Sequence, residues 1–256
     1  QDLNYPNIKY HALEKNMGCC GARNEGIKIS NGELIAFFDD DDVWMPDKLQ
    51  KQVSSWNKNK DAGVIFSNMI VEDSYAKYEY ITDFPEDYLN EKELLKRGEG
   101  ICTSALMVEK KILNKVGLFD ESLESYTDYD MLLRLSQFTS STIVKKPLII
   151  YKVLFRGISK NMKRKYQGKL SILKKYKHLY FTQKMFKEFA KHTQTLGDYS
   201  IMSGQTFLSL KFFANSIYYN PFDLKSYFKF LLAVLLGKNL NIKIRRFFES
   251  KFSKKD

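Results

Sequence analysis

The feature that most constrains the fold is an apolar run that leads directly into four carboxylates. Residues 34–38 read Leu-Ile-Ala-Phe-Phe, and residues 39–42 are all Asp. A short, continuous apolar run bounded by turn signals is typical of a buried strand in a parallel sheet. Ligands in open α/β sheets bind outside the carboxyl ends of such strands. The sequence therefore predicts an α/β fold with an acidic site at this strand end.

The four adjacent carboxylates have two explanations. Burying them unpaired would be costly, because each loses its hydration and each repels its neighbours. A hard divalent cation would relieve both costs, since Mg²⁺ is commonly held by one or two carboxylates plus substrate phosphates. The alternative is a solvated acidic turn ahead of a helix that starts at Pro46, because Pro fits the first helical turn. The local sequence leaves both explanations open.

The rest of the chain is predicted to alternate strands and helices and then to continue as helices alone. A glycine turn at Gly18 precedes the first predicted helix, and such a turn can receive a phosphate. Thr127 is a candidate N-cap, which puts Asp128 in the first turn of its helix, where it could simply complement the helix dipole. The predicted strands are 8–13, 34–38, 62–71, 101–108 and 141–151, and the later helices are 46–57, 92–96, 109–116, one after 127 and those beyond about 159.

Charge is distributed unevenly along the chain. The whole sequence has 41 basic and 30 acidic residues, a net charge of +11. Residues 1–150 hold 18 Lys and Arg against 25 Asp and Glu, so residues 151–256 hold 23 against 5, a net charge of +18. This asymmetry predicts a second part that faces something anionic. An anionic membrane surface fits the interleaved Lys and aromatic residues better than nucleic acid does, because no nucleic-acid-binding module is recognisable. A solvated helical pack is the alternative.

Cysteine content and hydropathy bear on the compartment. The three cysteines are Cys19, Cys20 and Cys102, and their odd number and spacing suit neither a disulfide framework nor a zinc site. A reducing cytosol fits this usage. No signal peptide is evident, and no apolar run approaches the roughly 18 residues of a membrane span. We therefore expect a cytoplasmic protein that is peripheral on the inner face of the cell membrane.

Two ordered blocks of motifs resemble one family. The first contains Gly18, Ala22-Arg23-Asn24, Gly26, Gly32-Glu33, the apolar run, Asp39-Asp40-Asp41-Asp42, Val43-Trp44, Pro46, Lys48-Leu49 and Gln52. The second contains Thr103-Ser104-Ala105-Leu106-Met107, Gly117, Phe119-Asp120-Glu121, Asp128-Tyr129-Asp130 and Leu133-Arg134-Leu135. Over about residues 5–160, the chain resembles family 2 glycosyltransferases, which are inverting enzymes of the GT-A fold. The resemblance implies a Rossmann-like, mostly parallel sheet flanked by helices, with a helical C-terminal subdomain.

The resemblance also implies a donor site. Asp39 and Asp41 match the Asp-x-Asp pair that holds Mg²⁺ or Mn²⁺ against the diphosphate of a nucleotide sugar. Asp42 would lie behind these ligands or face the sugar. Gly18 and Arg23 would lie beside the nucleotide. The implied donor is therefore a nucleotide-diphosphate sugar.

Asp128 matches the family's catalytic base. A carboxylate positioned there would take the proton of an acceptor hydroxyl as that hydroxyl attacks C1 of the sugar. The resemblance therefore implies a single displacement with inversion onto a glycan or lipid-linked acceptor, in cell-surface polysaccharide synthesis. Two departures concern this site: Thr127 stands where the family often has Glu, and Leu154 stands where a His would fall.

The division of the chain follows from the same resemblance. Residues 1–158 are predicted to form the catalytic domain, N-terminally truncated because the family's opening βαβ unit has no counterpart, and residues 159–256 a basic helical region. Without that unit, we expect poor nucleotide binding by residues 1–256 alone. The competing interpretations are a non-catalytic truncated remnant and a basic module that binds membranes or nucleic acid.

Overall fold

In a computed structural model, which describes residues 7–73, 78–153 and 161–235, the chain forms a mixed sheet flanked by helices and followed by a helical region. The strands are β1 (Leu34–Ala36), β2 (Val43–Trp44), β3 (Ala62–Asp73), β4 (Tyr78–Ile81), β5 (Met107–Glu109) and β6 (Ser140–Val153). The helices are α1 (Gly18–Ile29), α2 (Lys48–Lys58), α3 (Glu91–Arg97), α4 (Lys110–Val116), α5 (Thr127–Leu135), α6 (Met162–Thr182), α7 (Phe186–Met202) and α8 (Thr206–Tyr219). The described part of a further helix, α9, covers residues 224–235.

The strands pair in the order β1-β5-β3-β6-β2, and β4 also pairs with β3. The α/β class, the flanking helices and the helical C-terminal region are confirmed. The prediction of a mostly parallel sheet is wrong for the described strands, because only β3 and β6 run parallel and the other pairs are antiparallel. A continuous apolar run indicates burial on both faces of a strand. In β1, however, Ile35 is buried while Leu34 and Ala36 are half-buried, so the run established neither full burial nor strand direction.

The strand predicted at residues 8–13 is also not found. Ile8 and Tyr10 are 61% and 91% exposed, and no described strand pairs with this segment. An alternating sequence becomes a strand only where a neighbouring backbone accepts its hydrogen bonds. In the described sheet, β1 stands at the end of the strand order and pairs with β5 alone, with Ile35 opposite Val108.

Other predicted boundaries are displaced. The strand predicted at 34–38 ends at Ala36, and Phe38 is 56% exposed. The helix predicted from residue 46 begins at Lys48, and most of the strand predicted at 101–108 is replaced by a 3₁₀ turn at Thr103–Ala105. Tyr126, with φ of 62°, occupies the N-cap of α5, so the prediction of Thr127 as N-cap is wrong. The Thr127 hydroxyl instead hydrogen-bonds the thiol of Cys20.

Helix α5 lies at the centre of the core. The side chains that it buries are Thr127, Tyr129, Asp130, Met131, Leu132, Leu133 and Leu135. One buried apolar cluster runs from the sheet through α3 and α5 into α6 and α7. Described residues on both sides of the predicted boundary at residue 158 share this cluster, which ties the C-terminal helices to the helix that carries Asp128.

Candidate active site

The acidic segment forms a tight turn directly after the first strand. The Asp42 N–H donates to the carbonyl oxygen of Asp39 at 3.2 Å, and this bond closes the turn. Asp40 and Asp41 are exposed, Asp39 is half-buried, and Asp42 is only 5% exposed. The turn therefore presents three accessible carboxylates and buries the fourth.

The buried residue Ser104 holds this turn against the sheet. Its Oγ accepts a hydrogen bond from the Asp39 N–H at 3.0 Å, and its side chain also hydrogen-bonds the Asp42 carboxylate. The Lys152 N–H of β6 donates to Asp42 at 3.4 Å. Burial raises the pKa of Asp42 above its usual range, and the bond from Ser104 partly offsets this effect. Asp42 thus anchors the turn, and its donor-site role stays a prediction.

Arg23 connects the acidic turn to helix α5. It projects from α1, which begins at Gly18, a residue with φ of 68° that suits glycine. The Arg23 guanidinium forms an ion pair with Asp39 Oδ1 and lies 5.6 Å from the ring centre of Phe119. Its positive charge also lowers the pKa of Asp128. Arg23 therefore contacts one predicted donor residue, Asp39, and acts electrostatically on the predicted base.

Asp128 lies half-buried in the first turn of α5. Burial raises its pKa to about 6, although the Tyr129 N–H and the charge of Arg23 favour the carboxylate. Gly100 lies directly against it, because a Cβ on Gly100 would stand 3.0 Å from Asp128 Oδ2. A carboxyl group with a pKa near neutrality is suited to accept a proton from a substrate.

Comparison with known proteins identifies the domain. Residues 1–117 match glycosyl transferase family 2. Residues 1–117 are identified as a family 2 glycosyl transferase domain. The family predicted from the sequence is therefore confirmed.

Two curated relatives and one solved structure illustrate the likeness. An uncharacterized glycosyltransferase of Haemophilus influenzae is 31% identical over 134 residues, which are 52% of this chain and 45% of the relative. The putative colanic acid biosynthesis glycosyl transferase WcaA of Escherichia coli is 29% identical over 138 residues, 52% of this chain and 47% of WcaA. The match spans less than half of each relative. The crystal structure of S. aureus TarS is 16% identical with a TM-score of 0.48, over 82% of this chain and 38% of that chain.

The carboxylate oxygen atoms of Asp39 and Asp41 are of the kind that binds a hard divalent cation. Arg23 engages Oδ1 of Asp39, and the Asp41 carboxylate is exposed beside it. Within the described ranges, no group of three or more His, Cys, Asp or Glu side chains is placed to hold a metal. Mg²⁺ usually keeps several waters and uses only one or two carboxylates plus substrate phosphates. Asp39 and Asp41 therefore fit the group that the resemblance implies.

Sequence reasoning missed three residues that surround the base. Glu99 lies close enough to Asp128 that its charge raises the pKa of that carboxyl, and Gly100 forms a wall of the site. Burial raises the pKa of Tyr151, and the charges of Asp42 and Asp128 add to this, so its hydroxyl feels both the acidic turn and the base. No local pattern marks these three residues. Leu154, the predicted departure from the family, lies outside the described residues.

The pKa of Asp128 predicts an acid limb in the rate profile. The base works only as the carboxylate, so kcat/KM should rise with pH through about 6 and level off above about 7. Initial rates between pH 5 and 9 at saturating metal measure this profile. A flat rate between pH 5 and 7 would contradict the assignment of Asp128 as base.

Proposed function

We propose that the protein is an inverting glycosyltransferase that moves a sugar from a nucleotide-diphosphate sugar to a hydroxyl of a glycan or lipid-linked acceptor. The observation that carries this proposal is the position of Arg23, which pairs with Asp39 and acts electrostatically on Asp128. The Arg23 guanidinium thus pairs with a residue predicted to hold the donor and acts electrostatically on the residue predicted to activate the acceptor. The family 2 match supports the reaction class.

The donor side must bind a diphosphate and let it leave. Asp39 and Asp41 would hold Mg²⁺ or Mn²⁺, which supplies positive charge to the departing nucleoside diphosphate. Arg23 adds a second positive charge from α1. Ser104 keeps the turn in place because its Oγ accepts a hydrogen bond from the Asp39 N–H. The carboxylates are therefore positioned before substrate binds.

The acceptor side must activate a hydroxyl. Asp128 accepts the hydroxyl proton as the acceptor oxygen forms its bond to C1 of the sugar. The bond from C1 to the diphosphate oxygen breaks, and its electron pair leaves with the nucleoside diphosphate. One displacement inverts C1 and requires no covalent enzyme intermediate. The raised pKa of Asp128 makes the carboxyl a better proton acceptor than an exposed Asp would be.

The acceptor is proposed to belong to a cell-surface polysaccharide. The likeness to WcaA, whose name assigns it to colanic acid biosynthesis, supports this acceptor class. A screen of nucleotide sugars with the full-length protein, read out as released nucleoside diphosphate, tests the reaction. Release that requires both acceptor and Asp128 would support the proposal. Donor binding without release under any donor and acceptor pair would favour a non-catalytic remnant.

We also propose contact with an anionic membrane surface through the C-terminal helices. Exposed apolar residues recur along α9 at helical spacing, and Phe222 just before it is 89% exposed. These residues are Leu224, Tyr227, Phe228, Leu231 and Leu235. Within the described chain, no helix is long and apolar enough to cross a membrane. An apolar helix face within a region of net charge +18 suits a peripheral site on the inner face of the cell membrane. The sequence also has a basic segment at 243–248, Lys-Ile-Arg-Arg-Phe-Phe, which lies outside the described residues.

Vesicle binding tests this surface. Each Lys or Arg near an anionic surface contributes about 1 kcal/mol, so the protein should sediment with anionic vesicles at low salt and less so at high salt. Phe222→Ser combined with Leu231→Ser should weaken binding. Leu49→Ser on α2, which is 47% exposed, is the matched control. Binding that does not depend on salt, or equal binding to oligonucleotides, would contradict a membrane role.

A further inference from the structure

The C-terminal end of α3 receives hydrogen bonds from three other helices. Helices α5 and α7 each direct one polar side chain, and α6 directs two, to backbone carbonyls in the last turn of α3 or just beyond it. The pairs are Tyr129 with Leu94 at 3.0 Å, Tyr180 with Leu95 at 3.1 Å, His192 with Leu95 at 2.7 Å and Lys169 with Gly98 at 2.5 Å. The carbonyl end of α3 is therefore held from the C-terminal helices as well as from the helix of the base.

Lys169 is the one charged group among these donors. It is only 3% exposed, and its Nζ lies 5.1 Å from the ring centre of Tyr126. A buried ammonium is costly unless it is hydrogen-bonded, and a cation is stabilised at the carbonyl end of a helix. Burial lowers the pKa of Lys169 to about 8, the charge of Glu99 raises it, and that of Lys191 lowers it further. Lys169 therefore holds the Gly98 carbonyl with a buried, charged donor.

Gly98 leaves no space between the two helices and the backbone. Its φ is 69°, and a Cβ there would stand 2.1 Å from His192 Cε1 and 2.6 Å from Lys169 Nζ. Side chains from α6 and α7 thus press directly on the main chain at this residue. The position of Gly98 is therefore determined by helices that lie beyond residue 158.

Glu99 and Gly100, which follow Gly98 in the chain, both act on Asp128. Gly100 lies against the Asp128 carboxylate, and a Cβ on it would stand 2.9 Å from the Tyr129 nitrogen and 3.0 Å from Asp128 Oδ2. Glu99, between Gly98 and Gly100, acts electrostatically on both Lys169 and Asp128. A shift of Gly98 would move the wall of the carboxylate and the nearest acidic neighbour together.

We propose that Lys169 is a positioning residue for Asp128. By holding the Gly98 carbonyl, Lys169 fixes the segment 98–100, and this segment sets the position of the Asp128 carboxylate. This inference rests on the proposed function, in which Asp128 is the base. Lys169 does not touch the reacting atoms. It keeps Gly100 packed on the carboxylate and balances the charge of Glu99, so the C-terminal helices take part in setting the geometry of the base.

Lys169→Met removes both the charge and the hydrogen bond. We expect kcat per folded site to fall about tenfold, because small displacements of a reacting group cost up to about 10²-fold in rate. The pKa of Asp128 should move upward, since Glu99 loses its positive neighbour. The KM for donor should stay unchanged, because the acidic turn is held by Ser104 and not by Lys169. Lys174→Met, an exposed lysine on the same helix, should change none of these values.

The measurements are kcat and KM over pH, together with a carbon NMR titration of the Asp128 carboxyl. Comparison with Asp128→Asn assigns that signal, and the amount of bound nucleoside diphosphate counts folded sites. Lys169→Gln keeps a donor for Gly98 without the charge, and should shift the pKa with a smaller loss of kcat. If Lys169→Met does not fold, Lys169→Gln decides the question.

An unchanged kcat per folded site together with an unchanged Asp128 titration in the folded Lys169 variant would overturn the inference. Failure of the proposed function has a different signature. In that case Asp128→Asn itself would keep its turnover, whereas the NMR titration would still report whether Lys169 acts on the Asp128 carboxyl.

Discussion

Replacing Asp128 with Asn is expected to lower sugar transfer by about 10²–10⁴-fold, the usual contribution of general-base catalysis. The amide has nearly the same shape but cannot accept the hydroxyl proton. Donor binding should be nearly unchanged, because the acidic turn is held by Ser104 and not by Asp128. The acid limb near pH 6 should disappear with the carboxylate. Single-turnover rates and nucleotide calorimetry on the same preparation measure both effects.

Two other carboxylates serve as controls for Asp128. Glu124→Gln, at an exposed position before α5, should leave the rate and the stability unchanged. Asp130→Asn should destabilise the fold, whereas Asp128→Asn should lower the rate. The reason is that Asp130 is fully buried and pairs with Arg134 at 2.8 Å and Tyr176 at 2.8 Å. If Asp128→Asn kept more than about a third of wild-type turnover, Asp128 would not be the base and would only complement the dipole of α5.

Replacing Asp41 with Ala is expected to remove the increase in donor affinity that Mn²⁺ produces. The change deletes one proposed oxygen ligand opposite the diphosphate. Loss of outer partners of metal sites typically costs about 10–100-fold in affinity, so loss of a direct ligand should weaken metal-dependent binding at least about tenfold. Calorimetry with nucleoside diphosphate, with and without Mn²⁺, measures the change.

Asp39→Ala should differ from Asp41→Ala in one respect. It also releases Arg23 from its ion pair, so binding without metal should be stronger than in Asp41→Ala. Asp40→Ala, at an exposed position between the two, is the matched control and should keep metal dependence. Equal donor affinity of the wild-type protein with and without Mn²⁺ would refute the metal assignment.

Local pattern predicted those elements whose residues carry their own signal. The apolar run before the four Asp marked a buried strand end, and the helical spacing after Thr127 marked α5. The helix is found at Thr127–Leu135, whereas the strand ends at Ala36 and is only partly buried. Both elements were located because burial and turn chemistry act over a few residues. Strand direction was mispredicted, since periodicity reports which faces are covered and not which neighbour pairs. The segment at 8–13 was mispredicted for a related reason, because a strand exists only with a partner.

The sequence by itself determined the class of fold, the family and the predicted set of carboxylates, because each depends on the order and spacing of residue types. Only the tertiary structure decided that Arg23 pairs with Asp39 and acts electrostatically on Asp128, although Asp39 and Asp128 are 89 residues apart in the chain. It also decided that Glu99 and Gly100 surround the base and that Lys169 holds their backbone. Such environments arise from packing between distant segments, and packing determines the desolvation and neighbouring charges that set the pKa of a base.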